Sequence, residues 1–136
     1  MRFVDTNILL YAVSTTEEER KKHEMALAAL DADDLALSVQ VLQEFYVQAT
    51  RASKPNRSTH EQAAALIESW LRFRVQEISL ALLQQALSTS ARWQISYRGA
   101  AIVEAARAMH CATLLSEDLQ HGMDFAGVRV ESPFSG

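Results

Sequence analysis

The chain has 136 residues, of which 49% are hydrophobic and 22% are charged, and it contains only four glycines and two prolines. This is the length and composition of one folded domain covering residues 1–136, which excludes a disordered chain and leaves no room for a second domain. The net charge of −4 argues against a protein that holds nucleic acid through a broad basic surface, so any nucleic-acid chemistry would need local basic groups or bound cations.

Strands and helices are predicted to alternate along the first half of the chain. In order, the pattern predicts a strand over 2–4, a helix over 17–30, a strand over 35–39 and a helix reaching residue 49. The apolar residues of this last helix have the spacing of a single helical face, namely Val41, Leu42, Phe45 and Ala49. The proline-containing segment 51–57 is predicted to be an exposed loop.

The second half continues the same alternation. A capping box predicts the next helix, formed either by Thr59 with Gln62 or by Ser58 with Glu61. The remaining predicted elements are a strand over 75–78, a helix capped by Ser79, a helix over 100–109 opened by Ser96, and strands over 112–116 and 128–130. Short apolar strands separated by helices favour an α/β fold with a parallel sheet and helices on both faces.

The sequence does not have the pattern of a membrane protein. No apolar run approaches the roughly 20 residues needed to cross a bilayer. The first residues place Asp5 and Asn7 where a signal peptide would have its apolar core. We therefore expect a cytoplasmic protein with no membrane association.

Three acidic residues are expected to converge at one edge of the sheet. Asp5 follows the first strand directly, Glu44 is expected near the start of the helix after the second strand, and Asp118 follows the strand over 112–116. In parallel sheets, sites form beyond the carboxyl ends of the strands. Crowded carboxylates repel one another unless they share a positive charge. A hard cation, Mg²⁺ or Mn²⁺, is the usual answer.

Such a site suits the hydrolysis of a phosphodiester bond. A divalent ion lowers the pKa of bound water, orients it and neutralises charge on the phosphate oxygens, so no serine, cysteine or histidine nucleophile is required. For Asp5 alone, a purely structural interpretation is also open, because aspartate at a strand end commonly caps the following helix.

Five blocks of the sequence resemble the PIN-domain family, and in particular its VapC-like toxins. The blocks are Phe3-Val4-Asp5-Thr6-Asn7, Val41-Leu42-Gln43-Glu44-Phe45, Ser96-Tyr97 before an alanine-rich helix, LSEDLQHG over 115–122, and GVRVESPF over 127–134. They occur in the family's order and extend over nearly the whole chain.

The resemblance implies a three-layer α/β/α sandwich with a mainly parallel sheet of about five strands. It also implies a metal-dependent endoribonuclease that acts on RNA, forms homodimers, and is the toxin of a pair whose cognate antitoxin protein blocks the site. Asp5, Glu44 and Asp118 fall on the family's catalytic, metal-binding carboxylates. Thr6 and Asn7 fall on the polar pair that supports the first of them, and the Asn7 amide is expected to orient Asp5.

One position departs from the family pattern. The family has an aspartate where this chain has Gly99, so a fourth acid is missing. Glu104 is expected to point elsewhere, because five residues rotate it by roughly 140° round the helix; Glu117 and Asp124 remain possible replacements. Gly99 leaves three interpretations open: a weakened one-metal enzyme, a relative that binds RNA or antitoxin without cutting, or a sequence inactivated by substitution.

Four basic residues are candidates for contacts with RNA. Arg98, beside Gly99, could contact phosphate, and Arg51, Lys54 and Arg57 of the predicted loop could hold the RNA backbone. For each of them the simpler alternative is a solvated cation on a loop or at a helix end.

Overall fold

A five-stranded, fully parallel sheet lies at the centre of the structure, a computed structural model that describes residues 1–135. The strands are β1 (Arg2–Val4), β2 (Leu35–Ser38), β3 (Arg74–Gln76), β4 (Thr113–Leu115) and β5 (Arg129–Glu131). Their order across the sheet is β3-β2-β1-β4-β5. The predicted fold class and strand number are confirmed.

Six α-helices cover the sheet in the described part of the chain. They are α1 (Thr6–Ala12), α2 (Arg20–Leu30), α3 (Val39–Ala49), α4 (His60–Trp70), α5 (Leu80–Trp93) and α6 (Tyr97–Ala108), and a 3₁₀ turn (Glu17–Glu19) precedes α2. Helices α1 to α4 pack against one another as one group, and α5 packs against α6 as a second. The molecule is therefore a three-layer α/β/α sandwich. None of the described helices is long and apolar enough to cross a membrane.

Side-chain caps fix where most of the helices begin. The hydroxyls of Ser38, Ser79 and Ser96 each accept a hydrogen bond from a backbone N–H in the first turn of α3, α5 and α6. Thr59 and Gln62 form the reciprocal capping box of α4, so this pair and not Ser58 with Glu61 is used.

The core is apolar on both faces of the sheet. All four residues of β2 are buried, as expected for a strand covered by helices on each side. Phe45 of α3 packs edge-to-face on Trp70 of α4, with ring centroids 4.8 Å apart. This packing holds α3 in position beside the carboxyl edge of the sheet.

Three helix starts differ from the sequence prediction. Helix α2 begins at Arg20, because a 3₁₀ turn occupies Glu17–Glu19. Helix α3 begins at Val39, directly after β2, because Ser38 is both the last strand residue and the N-cap. Glu44 therefore lies in the middle of α3 and not near its start, which corrects the expectation. Helix α6 begins at Tyr97, three residues before the predicted start, since Ser96 caps it.

The strand order places a topological switch between β1 and β4. From β1 the chain builds outward through β2 and β3, and then crosses to the other side of β1 to add β4 and β5. Val4 lies opposite Leu115 in this ladder, and the Asp5 N–H donates to the Leu115 carbonyl at 3.0 Å. Ligand sites of open α/β sheets form in the crevice at such a point.

Candidate functional site

Asp5 lies directly beyond β1 and is completely buried, with 0% of its surface exposed. Its Oδ1 accepts a hydrogen bond from the Thr6 N–H at 2.6 Å, which makes it the N-cap of α1. Its Oδ2 accepts a hydrogen bond from the Ser116 hydroxyl at 2.8 Å, beyond β4. A buried carboxylate is expensive unless it is paired and hydrogen-bonded. Asp5 is thus both a helix cap and the deepest acid of the site.

Glu44 reaches the same place from α3 and is partly buried. The Thr6 hydroxyl donates to Glu44 Oε1 at 2.7 Å, and Gln40 donates to Oε2 at a longer 3.4 Å. Thr6 therefore connects the two carboxylates: its backbone N–H contacts Asp5 and its side chain contacts Glu44. The supporting role expected of Thr6 stays a prediction, and these are the contacts through which it would act.

Arg98, from the first turn of α6, lies between these carboxylates. Its Nη2 donates to Asp5 Oδ1 at 2.6 Å and to Glu44 Oε1 at 2.8 Å, and its Nη1 is 3.3 Å from Asp5 Oδ2. Its Nε lies 3.1 Å from Glu44 Oε2. Nη1 is also 3.6 Å from Asp118 Oδ2, in a longer ion pair. The sequence suggested a phosphate contact for Arg98; in the structure its guanidinium binds the protein's own acids.

The charges of this cluster stabilise one another. Burial alone would lower the pKa of Arg98, but the hydrogen bonds and negative charge of Asp5 and Glu44 raise it further above its already high value. Burial would likewise raise the pKa of Glu44, yet hydrogen bonds from Arg98 and Thr6 hold it below its usual range. Both groups are therefore fully ionised at neutral pH.

Asp118 is the most exposed of the three predicted acids. Its side chain is 57% exposed, and its backbone N–H donates to the Ser116 hydroxyl at 3.1 Å. Ser116 thereby connects the loop that carries Asp118 to Asp5. The structure brings all three predicted carboxylates to one edge, but with Asp118 at the rim.

The residues do not fit a divalent ion in this arrangement. The Asp5 and Glu44 oxygens that face each other are hydrogen-bonded to Arg98 or Thr6, and the guanidinium lies where a shared cation would have to bind. Among residues 1–135, no three histidine, cysteine, aspartate or glutamate side chains are placed to hold a metal together. Carboxylates suit Mg²⁺ or Mn²⁺, but the facing oxygens of Asp5 and Glu44 already accept hydrogen bonds from Arg98 and Thr6.

A cleft of about 580 Å³ opens in front of the cluster. Its lining includes Glu44, Arg98 and Asp118, and also Lys54 from the loop between α3 and α4. Of the other two basic residues of that loop, Arg57 lines a neighbouring cleft. Lys54 is thus the loop cation that shares the cleft with the acids.

Gly99 is buried in the first turn of α6, and its N–H donates to the capping Ser96 hydroxyl at 3.1 Å. A Cβ at this position would lie 3.2 Å from Leu119 Cδ2 and 3.3 Å from Ser96 Oγ. A side chain is therefore crowded here but not forbidden, because the end of Leu119 is partly exposed and can move by a few tenths of an ångström.

None of the possible replacements supplies the missing acid. Glu104 binds Thr89 and Arg107, as its rotation round α6 predicted. Asp124 accepts a hydrogen bond from the Gly127 N–H at 2.7 Å, in the turn before β5. Glu117 turns toward Tyr11 and Lys22, which together lower its pKa against the effect of burial.

The expected role of Asn7 is wrong. Its side-chain oxygen accepts from the Glu117 N–H at 3.2 Å and does not contact Asp5. Asn7 therefore fixes the loop after β4. Sequence reasoning missed Ser116, which orients Asp5 directly; its place immediately before an acidic pair at a strand end was the available signal.

Fold and site together define a class: a doubly wound α/β protein with an acidic cluster at the switch point of its sheet. The chain belongs to the PIN domain family, which matches residues 2–122. No curated protein sequence matches it.

Solved structures share the fold at low sequence identity. A toxin–antitoxin complex from Klebsiella pneumoniae is 20% identical with a TM-score of 0.71, covering 98% of both chains. A VapC toxin of Mycobacterium tuberculosis, described as cleaving the sarcin–ricin loop, is 20% identical with a TM-score of 0.70, covering 87% of this chain and 92% of that one. DNA-bound VapBC from Salmonella typhimurium is 17% identical with a TM-score of 0.64, covering 97% of both chains.

Proposed function

We propose that this chain is the toxin-type half of a toxin–antitoxin pair and a weak ribonuclease that hydrolyses RNA phosphodiester bonds. The observation that carries the proposal is the convergence of Asp5, Glu44 and Asp118, from three distant segments, at the switch point of the sheet. Family membership supports it, as do structural neighbours that are antitoxin complexes or an RNA-cleaving toxin.

The proposed division of labour follows from exposure. Asp5 is fully buried and anchors the cluster, whereas Asp118 lies at the rim, where it can meet a substrate. Lys54, which also lines the cleft, would contact the RNA backbone, which an acidic protein must hold with local cations. The proposed cofactor is Mg²⁺ or Mn²⁺, and the proposed activity is weak because Arg98 occupies the oxygens that such an ion would need.

A specific observation favours a second candidate, a domain that binds RNA or antitoxin without cutting. Arg98 neutralises part of the negative charge of the cluster, and Gly99 leaves the same helical turn without a fourth acid. The partners proposed for either function are a cognate antitoxin and a second copy of the chain, which family membership suggests.

Cleavage of a mixed RNA pool in the presence of Mn²⁺ or excess EDTA tests the proposal. We expect slow cleavage that EDTA abolishes and that Asp5→Asn removes, while the exposed control Asp33→Asn cuts like the unaltered protein. Circular dichroism should confirm that each variant is folded. RNA retained on a filter without any cleavage would favour the second candidate. A protein that neither cuts nor binds RNA would contradict both RNA-directed functions.

A further inference from the structure

The guanidinium of Arg98 occupies the position of a shared cation. It contacts both oxygens of Asp5 and both oxygens of Glu44 at 2.6 to 3.3 Å, and it lies 3.6 Å from Asp118. These are charge-assisted hydrogen bonds, the strongest class available to side chains. Arg98 thus supplies the three acids with a shared positive charge, which a divalent ion would otherwise have to supply.

Two neighbouring residues produce this arrangement together. In the first turn of α6, position 99 carries no acid, and position 98 carries a base that points into the acidic cluster. An aspartate at 99 would add a negative charge that calls for a divalent ion, whereas an arginine at 98 removes the need for one. The remaining charges are two negative units spread over three carboxylates, which is modest for so small a site.

We propose that Arg98 is a resident cation that takes the place of a divalent metal ion in this site, so that the unaltered chain binds Mn²⁺ and Mg²⁺ poorly and its carboxylate cluster is held together without metal. The proposal concerns metal binding by this chain and does not require that the chain cut RNA.

Arg98 and a divalent ion compete for the same carboxylate oxygens, and this competition predicts how Arg98 changes metal affinity. A divalent ion must first displace the guanidinium, and its apparent affinity falls by the fraction of molecules in which Arg98 has left. The Arg98 side chain is 34% exposed, so it can swing into the cleft, and the competition is finite. Replacing Arg98 by an apolar residue of similar length should remove the competitor and leave the acids in need of a cation.

Mn²⁺ binding, measured from the electron paramagnetic resonance signal of the free ion, tests the proposal. The proteins compared are the unaltered chain, Arg98→Met, Arg98→Lys, and Arg20→Met as a charge-matched control. Arg20 pairs only with exposed carboxylates on the surface. We expect Arg98→Met to bind one Mn²⁺ at least about tenfold more tightly than the unaltered chain and the control. Arg98→Lys keeps the charge without the forked donors and should fall between them.

Thermal unfolding provides the second measurement. In EDTA, Arg98→Met should melt at a lower temperature than the unaltered chain, and Mn²⁺ should recover much of the loss, because an ion that binds only the folded cluster stabilises it. Mn²⁺ should change the melting temperature of the unaltered chain very little.

Two results would overturn the proposal: tight binding of one Mn²⁺ by the unaltered chain, or Arg98→Met with no gain in affinity. If Arg98→Met does not fold even with Mn²⁺, the test rests on Arg98→Lys. A Mn²⁺ affinity of Arg98→Lys equal to that of the unaltered chain would contradict the proposal that Arg98 competes with the ion. Absence of RNA cleavage by the unaltered chain would count against the proposed ribonuclease and leave the metal result unaffected.

Discussion

The side chain of Asp5 lies where solvent does not reach, and its oxygens accept four hydrogen bonds. The Thr6 N–H, the Ser116 hydroxyl and two nitrogens of Arg98 all donate to its two oxygens. These donors belong to three residues in different segments, so the carboxylate connects α1, the loop after β4 and α6. Removing it would leave the donors without a partner.

The first prediction is that Asp5→Ala destabilises the fold by about 2 to 4 kcal/mol. Breaking one side of a buried ion pair costs about 3 to 5 kcal/mol, and the partial exposure of Arg98 reduces this. Urea unfolding followed by circular dichroism measures the change. The exposed Asp33→Ala should stay within about 0.5 kcal/mol of the unaltered chain. Equal stability of the two variants would show that the cluster is not structural.

Gly99 is the second residue whose replacement is informative. Gly99→Asp should have little effect on Mn²⁺ affinity alone, because Arg98 still occupies the oxygens of Asp5 and Glu44 that an ion would need, and should raise affinity further when combined with Arg98→Met. Gly99→Ala is the matched control for crowding against Leu119 and Ser96. A large gain from Gly99→Asp alone would mean that the missing acid, and not Arg98, limits metal binding.

At the scale of elements, the strand ends were the most predictable part of the site. Asp5 follows β1 directly and Asp118 lies three residues beyond the end of β4. Neighbouring parallel strands end at the same edge, so the proximity of the two acids follows from the alternation of strands and helices. Glu44 was placed at this edge as well, although it lies in the middle of α3 and not in its early part.

The cation of the site was not predictable in the same way. Periodicity indicates that α6 exists, but it does not say how α6 is rotated or how far it lies from α3. Arg98 and Glu44 are 54 positions apart in sequence, and their contact depends on that packing. A long arginine side chain beside a missing acid was the only local signal, and it allowed either a phosphate contact or an internal ion pair.

The cap of α4 gives a prediction with a natural control. Thr59→Ala should cost about 1 kcal/mol, because it removes the acceptor for the Gln62 N–H in the capping box. Ser58→Ala, one position earlier, should be nearly neutral, since the cap uses Thr59. Chemical denaturation of the two variants side by side measures this. Equal losses would indicate that the helix start can shift by one residue.

At the scale of the whole molecule, the topology builds the candidate RNA site, whereas the net charge opposes RNA binding. The fold gathers acids at the switch point, and the net charge of −4 repels RNA from the surface as a whole. An RNA strand can therefore be held only where cations are concentrated. The loop between α3 and α4 carries three cations, namely Arg51, Lys54 and Arg57, and Lys54 lines the cleft.

The last prediction is that changing these three loop residues to alanine weakens RNA binding and flattens its dependence on salt. Each phosphate contact on a single strand contributes about 0.7 to the slope of log affinity against log salt, so the slope should fall by up to about 2. Lys54 alone should account for the largest share, because it is the one that lines the cleft with Glu44 and Arg98. Filter binding across a series of salt concentrations measures the slope.

A charge-matched control replaces exposed arginines elsewhere, namely Arg74, Arg92 and Arg129. Two of these begin β3 and β5, at the edge of the sheet opposite the cleft, so this control should lower affinity only through net charge and keep the slope of the unaltered chain. Equal slopes for the two triple variants would show that the loop is merely solvated and that RNA, if bound, lies on another face.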